Sequence, residues 1–105
     1  MTVSHDPASA YAGANVVYAK SWGALPYFGR WEEEKPIRDS HKHYIVDEQK
    51  MALTDGGFFS HCLPLRRNVK ATDAVVSSPA SLVIDEAENR LHVQKALLRR
   101  LMVKT

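Results

Sequence analysis

Short apolar runs at residues 15–19, 58–61 and 81–84 alternate along this chain with segments that carry helix start and stop signals. Apolar runs of four or five residues read as buried strands. Strands that alternate with helices imply a parallel sheet with right-handed crossovers. The helical segments are marked as follows. Asp6-Pro7 opens a helix through residues 8–12 that stops at Gly13. Residues 39–53 read as helical, in one or two pieces, and end at Gly56-Gly57. Residues 72–77 suggest a short helix stopped near Pro79. Asp85 then caps a C-terminal helix, with Glu88 at capping-box spacing. Ala87, Leu91, Leu98 and Met102 form its apolar stripe, and Arg99, Arg100 and Lys104 suit its negative end. Residues 20–39, rich in Gly, Pro and aromatics, show no clear period and read as a long functional or mobile loop. The expected fold is α/β: a partial doubly wound, Rossmann-like parallel sheet of about three strands with flanking helices. A parallel sheet normally has both faces covered, so three strands point to part of a larger domain.

Composition narrows the function. The 105 residues, 45% hydrophobic and 25% charged, suit one domain. The net charge of +2, with cations interleaved among acids, gives no footprint for nucleic acid. The single cysteine excludes an internal disulfide and suits a reducing cytoplasm. The N-terminus lacks the basic and apolar regions of a signal peptide, and no apolar run approaches the ~20 residues of a membrane span. A cytoplasmic protein is expected.

The second apolar run ends in Phe58-Phe59-Ser60-His61-Cys62-Leu63-Pro64-Leu65-Arg66-Arg67-Asn68. Ligands of open α/β sheets collect beyond the carboxyl ends of strands, so a cysteine, a histidine, a proline and two fixed cations share one candidate site. Cys62 beside His61 invites a nucleophile, but neighbouring residues on a strand point to opposite faces. His41, His43 and His61 lack the companions of a zinc site and read as solvated or core histidines. Arg90, one turn into the last helix, could simply pair with Glu86. Lys20, at the end of the first strand, could be solvated.

His61-Cys62-Leu63-Pro64 followed by Asp85-Glu86-Ala87-Glu88-Asn89-Arg90-Leu91-His92, then Gln94-Lys95, resembles the C-terminal portion of the aspartate/ornithine carbamoyltransferase family, over residues 3–102. Family enzymes are severalfold longer, and their carbamoyl-phosphate-binding domain carries a Ser-Xaa-Arg-Thr motif that does not occur here. The resemblance implies that residues 1–105 correspond to the C-terminal part of the ornithine- or acetylornithine-binding domain, with the carbamoyl-phosphate-binding domain absent. Within the family, the branch acting on N-acetylornithine fits best. Where ornithine enzymes carry an Asp for the free α-ammonium, this chain reads Tyr18-Ala19-Lys20-Ser21-Trp22-Gly23. An acylated nitrogen has no charge to neutralise, and a buried Asp facing it is costly.

The resemblance implies specific roles. Leu63-Pro64 is a cis peptide whose carbonyls meet the carbamoyl NH2. Cys62 and Leu63 line the carbamoyl phosphate site, and Arg90 binds the carbonyl oxygen that gains charge. Lys20 and Leu63 contact acetylornithine, and Lys70 is a candidate carboxylated lysine able to pair with Lys20. One of Arg66 and Arg67 helps shape the site, and the other is surface charge. No metal or organic cofactor is implied. The partners are carbamoyl phosphate and N-acetylornithine, in a homotrimer for the full-length family. An ornithine or succinylornithine enzyme fragment, or a non-catalytic module binding an acylated ornithine or a partner subunit, remain the alternatives.

Overall fold

Asp6 acts as its place beside Pro7 predicts. In the computed structural model, which describes residues 1–103, its carboxylate accepts from the amides of Ala8 (3.2 Å) and Ser9 (3.0 Å). That cap opens helix α1, Pro7–Tyr11. Gly13, at φ +70°, turns the chain out of it, a conformation that costs glycine little. Strand β1, Val16–Tyr18, follows, and β2 is Phe58–Ser60. They pair in parallel, Val16 with Phe58, Val17 with Phe59 and Tyr18 with Ser60. The parallel α/β architecture inferred from the alternation is therefore present.

The crossover between the strands contains more structure than its sequence suggested. Residues 20–39 are not one loop: a 3-10 turn at Leu25–Tyr27 leads into helix α2, Trp31–Ser40. Glu32, Glu33 and Glu34 sit at its positive end. Pro36 forfeits one helical hydrogen bond, and two pairs one turn apart flank it and support the helix: Glu34 with Arg38 (2.8 Å) and Lys35 with Asp39 (2.8 Å). The helix expected over 39–53 is instead the end of α2, a 3-10 turn at Lys42–Tyr44, and α3, Glu48–Met51. The expected short helix is α4, Asp73–Val76, capped by Thr72.

The third expected strand, 81–84, is reduced to one parallel bridge between Phe59 and Ser81. Helix α5, Val83–Met102, begins inside that run, with Leu82 as its cap residue. Asp85 lies in the first turn and does not cap it. A four-residue apolar run cannot distinguish strand from helix, and here Val83 is buried while Ile84 is exposed.

The core is small: Phe59, fully buried, packs among Val46, Ala71, Val75, Val76 and Val83. Val46 and Ala71 form a parallel bridge, with the Val46 amide bonded to the Lys70 carbonyl (2.9 Å). Lys70 is thereby fixed at the edge of the core. The accessible surface is 8118 Å², against about 5,900 Å² for a folded monomer of this mass. The radius of gyration is 16.8 Å, against about 13 Å. The excess lies partly in α5, where every described residue from Glu88 onward is exposed, including the whole apolar stripe from Leu91. Among the described residues no helix is long and apolar enough to cross a membrane.

Candidate ligand site at the strand ends

The register of the two strands sets the geometry. Tyr18 and Ser60 are partners at the carboxyl ends, so the residues two beyond them meet: Lys20 Nζ donates to Cys62 Sγ at 3.6 Å. The Leu63-Pro64 peptide is cis, as the resemblance implied, and Leu63 is exposed at the rim. His61 turns the other way and is buried. Its Nδ1–H donates to the carbonyl oxygen of Cys62, not to the thiol, and its Nε2 has no partner among the described residues. The imidazole is therefore not aligned as a base for Cys62. His41 and His43 instead group with Tyr44 at the end of α2 and the turn after it, His41 stacked on the Tyr44 ring at a centroid distance of 5.8 Å and His43 tilted against it at 4.3 Å. Among the described residues no three metal-capable side chains converge.

Beneath the strand ends is a basic cavity of about 330 Å³ lined by Ser21, Arg38, His61, Pro64, Arg66 and Lys70. Lys70 is 4% exposed, and its Nζ lies 4.0 Å from the centroid of the Trp22 ring. Burial, then the charges of Arg38 and Arg66, hold its ammonium below the usual lysine range. Among the described residues no carboxylate lies within salt-bridge distance of it. Lys70 and Trp22 also line a larger, mostly apolar cavity of about 500 Å³ that runs past Lys20, His41 and Tyr44.

Glu34 organises this side of the site. It is buried, and Oε1 accepts from Arg38 Nε (2.8 Å) and the Ala24 amide (3.1 Å). Those hydrogen bonds, Arg38 first, hold its carboxyl below the usual range. One carboxylate thus ties the segment after Lys20 to α2 and aims Arg38 at the cavity. The two arginines after Pro64 separate: Arg66 lines the cavity, whereas Arg67 pairs with Asp73 (3.0 Å) and Ser77 (2.9 Å).

Arg90 is exposed on α5 beside Glu86, Asn89, Val93 and Gln94. The structural pairing of Arg90 with Glu86 is not made. Glu86 Oε1 accepts from Tyr18 (2.9 Å) and Oε2 from Ser60. Arg90 shares no hydrogen bond with Lys20 or Cys62 among the described residues, and Glu86, one turn earlier, is the link between them. Sequence reasoning missed Trp22, Glu34, Arg38 and the Tyr18–Glu86–Ser60 cluster. Only Glu34–Arg38 carried a local signal, its four-residue spacing.

A model of the aspartate/ornithine carbamoyltransferase family, for its Asp/Orn-binding domain, matches residues 1–101. The chain belongs to this family. It is 74% identical over 102 residues to the N-acetylornithine carbamoyltransferase of Xanthomonas campestris pv. campestris, covering 97% of this chain and 30% of that protein. It is 41% identical over 100 residues to the N-succinylornithine carbamoyltransferase of Bacteroides thetaiotaomicron, covering 95% of this chain and 30% of that protein. A crystal structure of acetylornithine transcarbamylase complexed with acetylcitrulline superimposes with a TM-score of 0.86 at 73% identity, over 95% of this chain and 30% of that one. The chain thus spans less than a third of the length of these carbamoyltransferase relatives.

Proposed function

We propose that this chain provides the amino-acid-binding wall and one side of the carbamoyl phosphate pocket in an N-acetylornithine carbamoyltransferase. A separate carbamoyl-phosphate-binding domain completes the site. The observation that carries the reading is a cation, Lys20, at the end of β1, against Cys62 and next to the Leu63-Pro64 turn. An acid there would suit a free α-ammonium; a lysine suits the α-carboxylate of an acylated ornithine.

In the reaction, the neutral side-chain amine of N-acetylornithine attacks the carbamoyl carbon. A C–N bond forms, the C–O bond to phosphate breaks, and the amine proton leaves, giving N-acetylcitrulline and phosphate. The substrate supplies the nucleophile and the phosphate is a competent leaving group, so the chemistry asks for no metal or organic cofactor. The protein orients two ligands and stabilises charge. Arg90 has no carboxylate partner among the described residues and is available to the carbonyl oxygen as it becomes an oxyanion. Cys62 lines the carbamoyl phosphate site without forming an acyl intermediate, and Leu63 contacts both ligands.

Lys70 joins the site as a carbamate. Its depressed pKa favours the neutral amine that reacts with CO2, and the product anion faces Arg38, Arg66 and Lys20. A homotrimeric, cytoplasmic enzyme belongs to the same reading. The exposed apolar stripe of α5 supports a need for further protein surface, and the unpaired cysteine supports the compartment.

The test pairs the chain with the carbamoyl-phosphate-binding domain of the Xanthomonas relative and measures product from N-acetylornithine, N-succinylornithine and ornithine. N-acetylcitrulline is expected from the pair and not from the chain alone. Preference for ornithine, or turnover by the isolated chain, overturns the reading. Saturable acetylornithine binding with no turnover by the pair supports a binding module in its place.

A further inference from the structure

We infer that Glu86 is a positioning residue: its one carboxylate clamps the carboxyl ends of both strands to the first turn of α5 and so sets where Arg90 stands relative to Cys62 and Leu63. The inference rests on the proposed roles of those residues and adds the group that holds them in register.

The two oxygens of Glu86 are divided between the strands. Tyr18, the last residue of β1, donates to Oε1 at 2.9 Å, and Ser60, the last residue of β2, donates to Oε2. Tyr18 and Ser60 are themselves register partners. Each strand runs on within three residues into candidate ligand groups, Lys20 on one side and Cys62 and Leu63 on the other.

Arg90 is four residues after Glu86 on α5, and therefore on the same helix face. The helix has little else to orient it. Among its described residues Val83 alone is buried, and everything from Glu88 onward is exposed. Val83 and the Leu82 amide, bonded to the Phe59 carbonyl oxygen (2.8 Å), hold only the start of the helix and leave the rest free to pivot. A second anchor one turn along removes that freedom, and Glu86 is that anchor. Glu86 stays charged in this role, because the hydrogen bond from Ser60, with that from Tyr18, holds its carboxyl below the usual range. Among the described residues Glu86 forms no ion pair with Arg90, although the nearby guanidinium charge adds a smaller downward pull on the Glu86 pKa.

The test uses Glu86→Ala, Glu86→Gln and Tyr18→Phe in the full chain. In the chain alone, residual dipolar couplings report the alignment of α5 against β1 and β2, and ring resonances report the ionisation of Tyr18. Hydrogen bonding to Glu86 raises the Tyr18 phenol pKa. In Glu86→Ala the Tyr18 pKa is expected to fall and α5 to lose its common alignment, while amide protection in β1 and β2 persists. Unchanged alignment in Glu86→Ala overturns the clamp. Should Glu86→Ala fail to fold, Tyr18→Phe removes one arm only and must still loosen α5.

In the chain paired with the carbamoyl-phosphate-binding domain, a misplaced Arg90 is expected to cost about tenfold or more in kcat/KM for carbamoyl phosphate. The order expected is wild type, Glu86→Gln, then Glu86→Ala, with KM for acetylornithine little changed. Arg90→Ala separates the two claims. If Arg90→Ala is impaired and Glu86→Ala is not, the clamp alone fails. If Arg90→Ala behaves as wild type, the proposed role of Arg90 fails, and the dipolar couplings still decide whether Glu86 holds the helix.

Discussion

The ammonium of Lys70 lies 4.0 Å from the centroid of the Trp22 ring, facing a cavity whose other charges are the cations of Arg38 and Arg66. The aromatic face offsets part of the cost of burying this charge, but among the described residues no acid answers it. This arrangement is unfavourable for a lysine and favourable for an anion made from one.

The first prediction follows from that imbalance. The folded pKa of Lys70 lies below its ordinary 10.5, so the unfolded state binds the proton more readily. Its contribution to stability is therefore most unfavourable at low pH and improves as pH rises from the folded pKa toward 10.5. Tyr11 and Tyr18, with raised pKa values, act in the opposite sense at the alkaline end. The readout is thus the difference between wild type and Lys70→Met in urea titrations across that range. Lys70→Met should lack the improvement. Bicarbonate, against chloride at equal ionic strength, should raise the unfolding midpoint of wild type only, and 13C-labelled bicarbonate should give a carbamate signal that Lys70→Met lacks. Carbamate formation joins the lysine nitrogen to CO2 and releases one proton, so the modification should weaken as pH falls.

Glu34 gives a prediction on the acid side. Its folded pKa is below the ordinary 4.5, held there by Arg38 first and the Ala24 amide second. The stability it contributes is present above 4.5 and is lost as pH falls through the folded pKa. Glu34→Gln should show less loss between about pH 5 and pH 3 than wild type, in urea midpoints measured at each pH. At neutral pH it should be the less stable protein, because Arg38 would face Lys70 and Arg66 without its partner. A variant as stable as wild type at neutral pH would contradict that role for Glu34.

Much of this could be read from local chemistry. The Asp6-Pro7 start, the parallel sheet and the short helix before Pro79 rest on residues adjacent in sequence, and they are present. The boundary at Val83 was not legible, because Leu82-Val83-Ile84 suits a strand or a helix equally until burial chooses between Val83 and Ile84. Helix α2 was hidden by Pro36 and by the glycines and aromatics before it, signals that its two four-residue ion pairs are individually too weak to outweigh. The Tyr18–Glu86 bond spans 68 positions, and no window along the chain brings those residues together. The motif resemblance drew attention to Cys62, Leu63 and Arg90, while the bonds of Glu86 to Tyr18 and Ser60, and of Glu34 to the Ala24 amide, became visible only in three dimensions.

Thr72 joins two short helices, and its loss should be measurable. Its Oγ1 accepts from the Val75 amide (3.3 Å) to cap α4 and donates to Glu48 Oε2 (2.7 Å) at the start of α3. Thr72→Val keeps the shape and removes both bonds. A loss of about 1 kcal/mol is expected from the cap, read by chemical denaturation. Thr72→Ser, which restores the hydroxyl, should recover most of it. Equal stability of Thr72→Val and wild type would mean that the cap contributes nothing net.

Gly57 tests how closely the chain must approach itself for the strands to pair. A Cβ added there would sit 2.7 Å from the Ala14 carbonyl oxygen and 3.0 Å from the Thr54 side chain. Thr54 offers little relief, because its Cβ is fixed by the backbone and its Oγ1 is bonded to the Met51 carbonyl and the Gly57 amide. Ala14 is backbone, and its oxygen accepts from the Asp55 amide at 3.1 Å. The contact therefore has to be relieved by moving the segment before β1 away from the segment before β2. Gly57→Ala should cost about 1–3 kcal/mol, the usual range for overpacking. Amide exchange should quicken first at Asp55 and Phe58, whose hydrogen bonds to Ala14 and Asn15 join the two segments. The core of Phe59, Val75 and Val83 lies beyond this junction and should keep its protection longer. Uniform loss of protection would show instead that the strand junction and the core unfold as one unit.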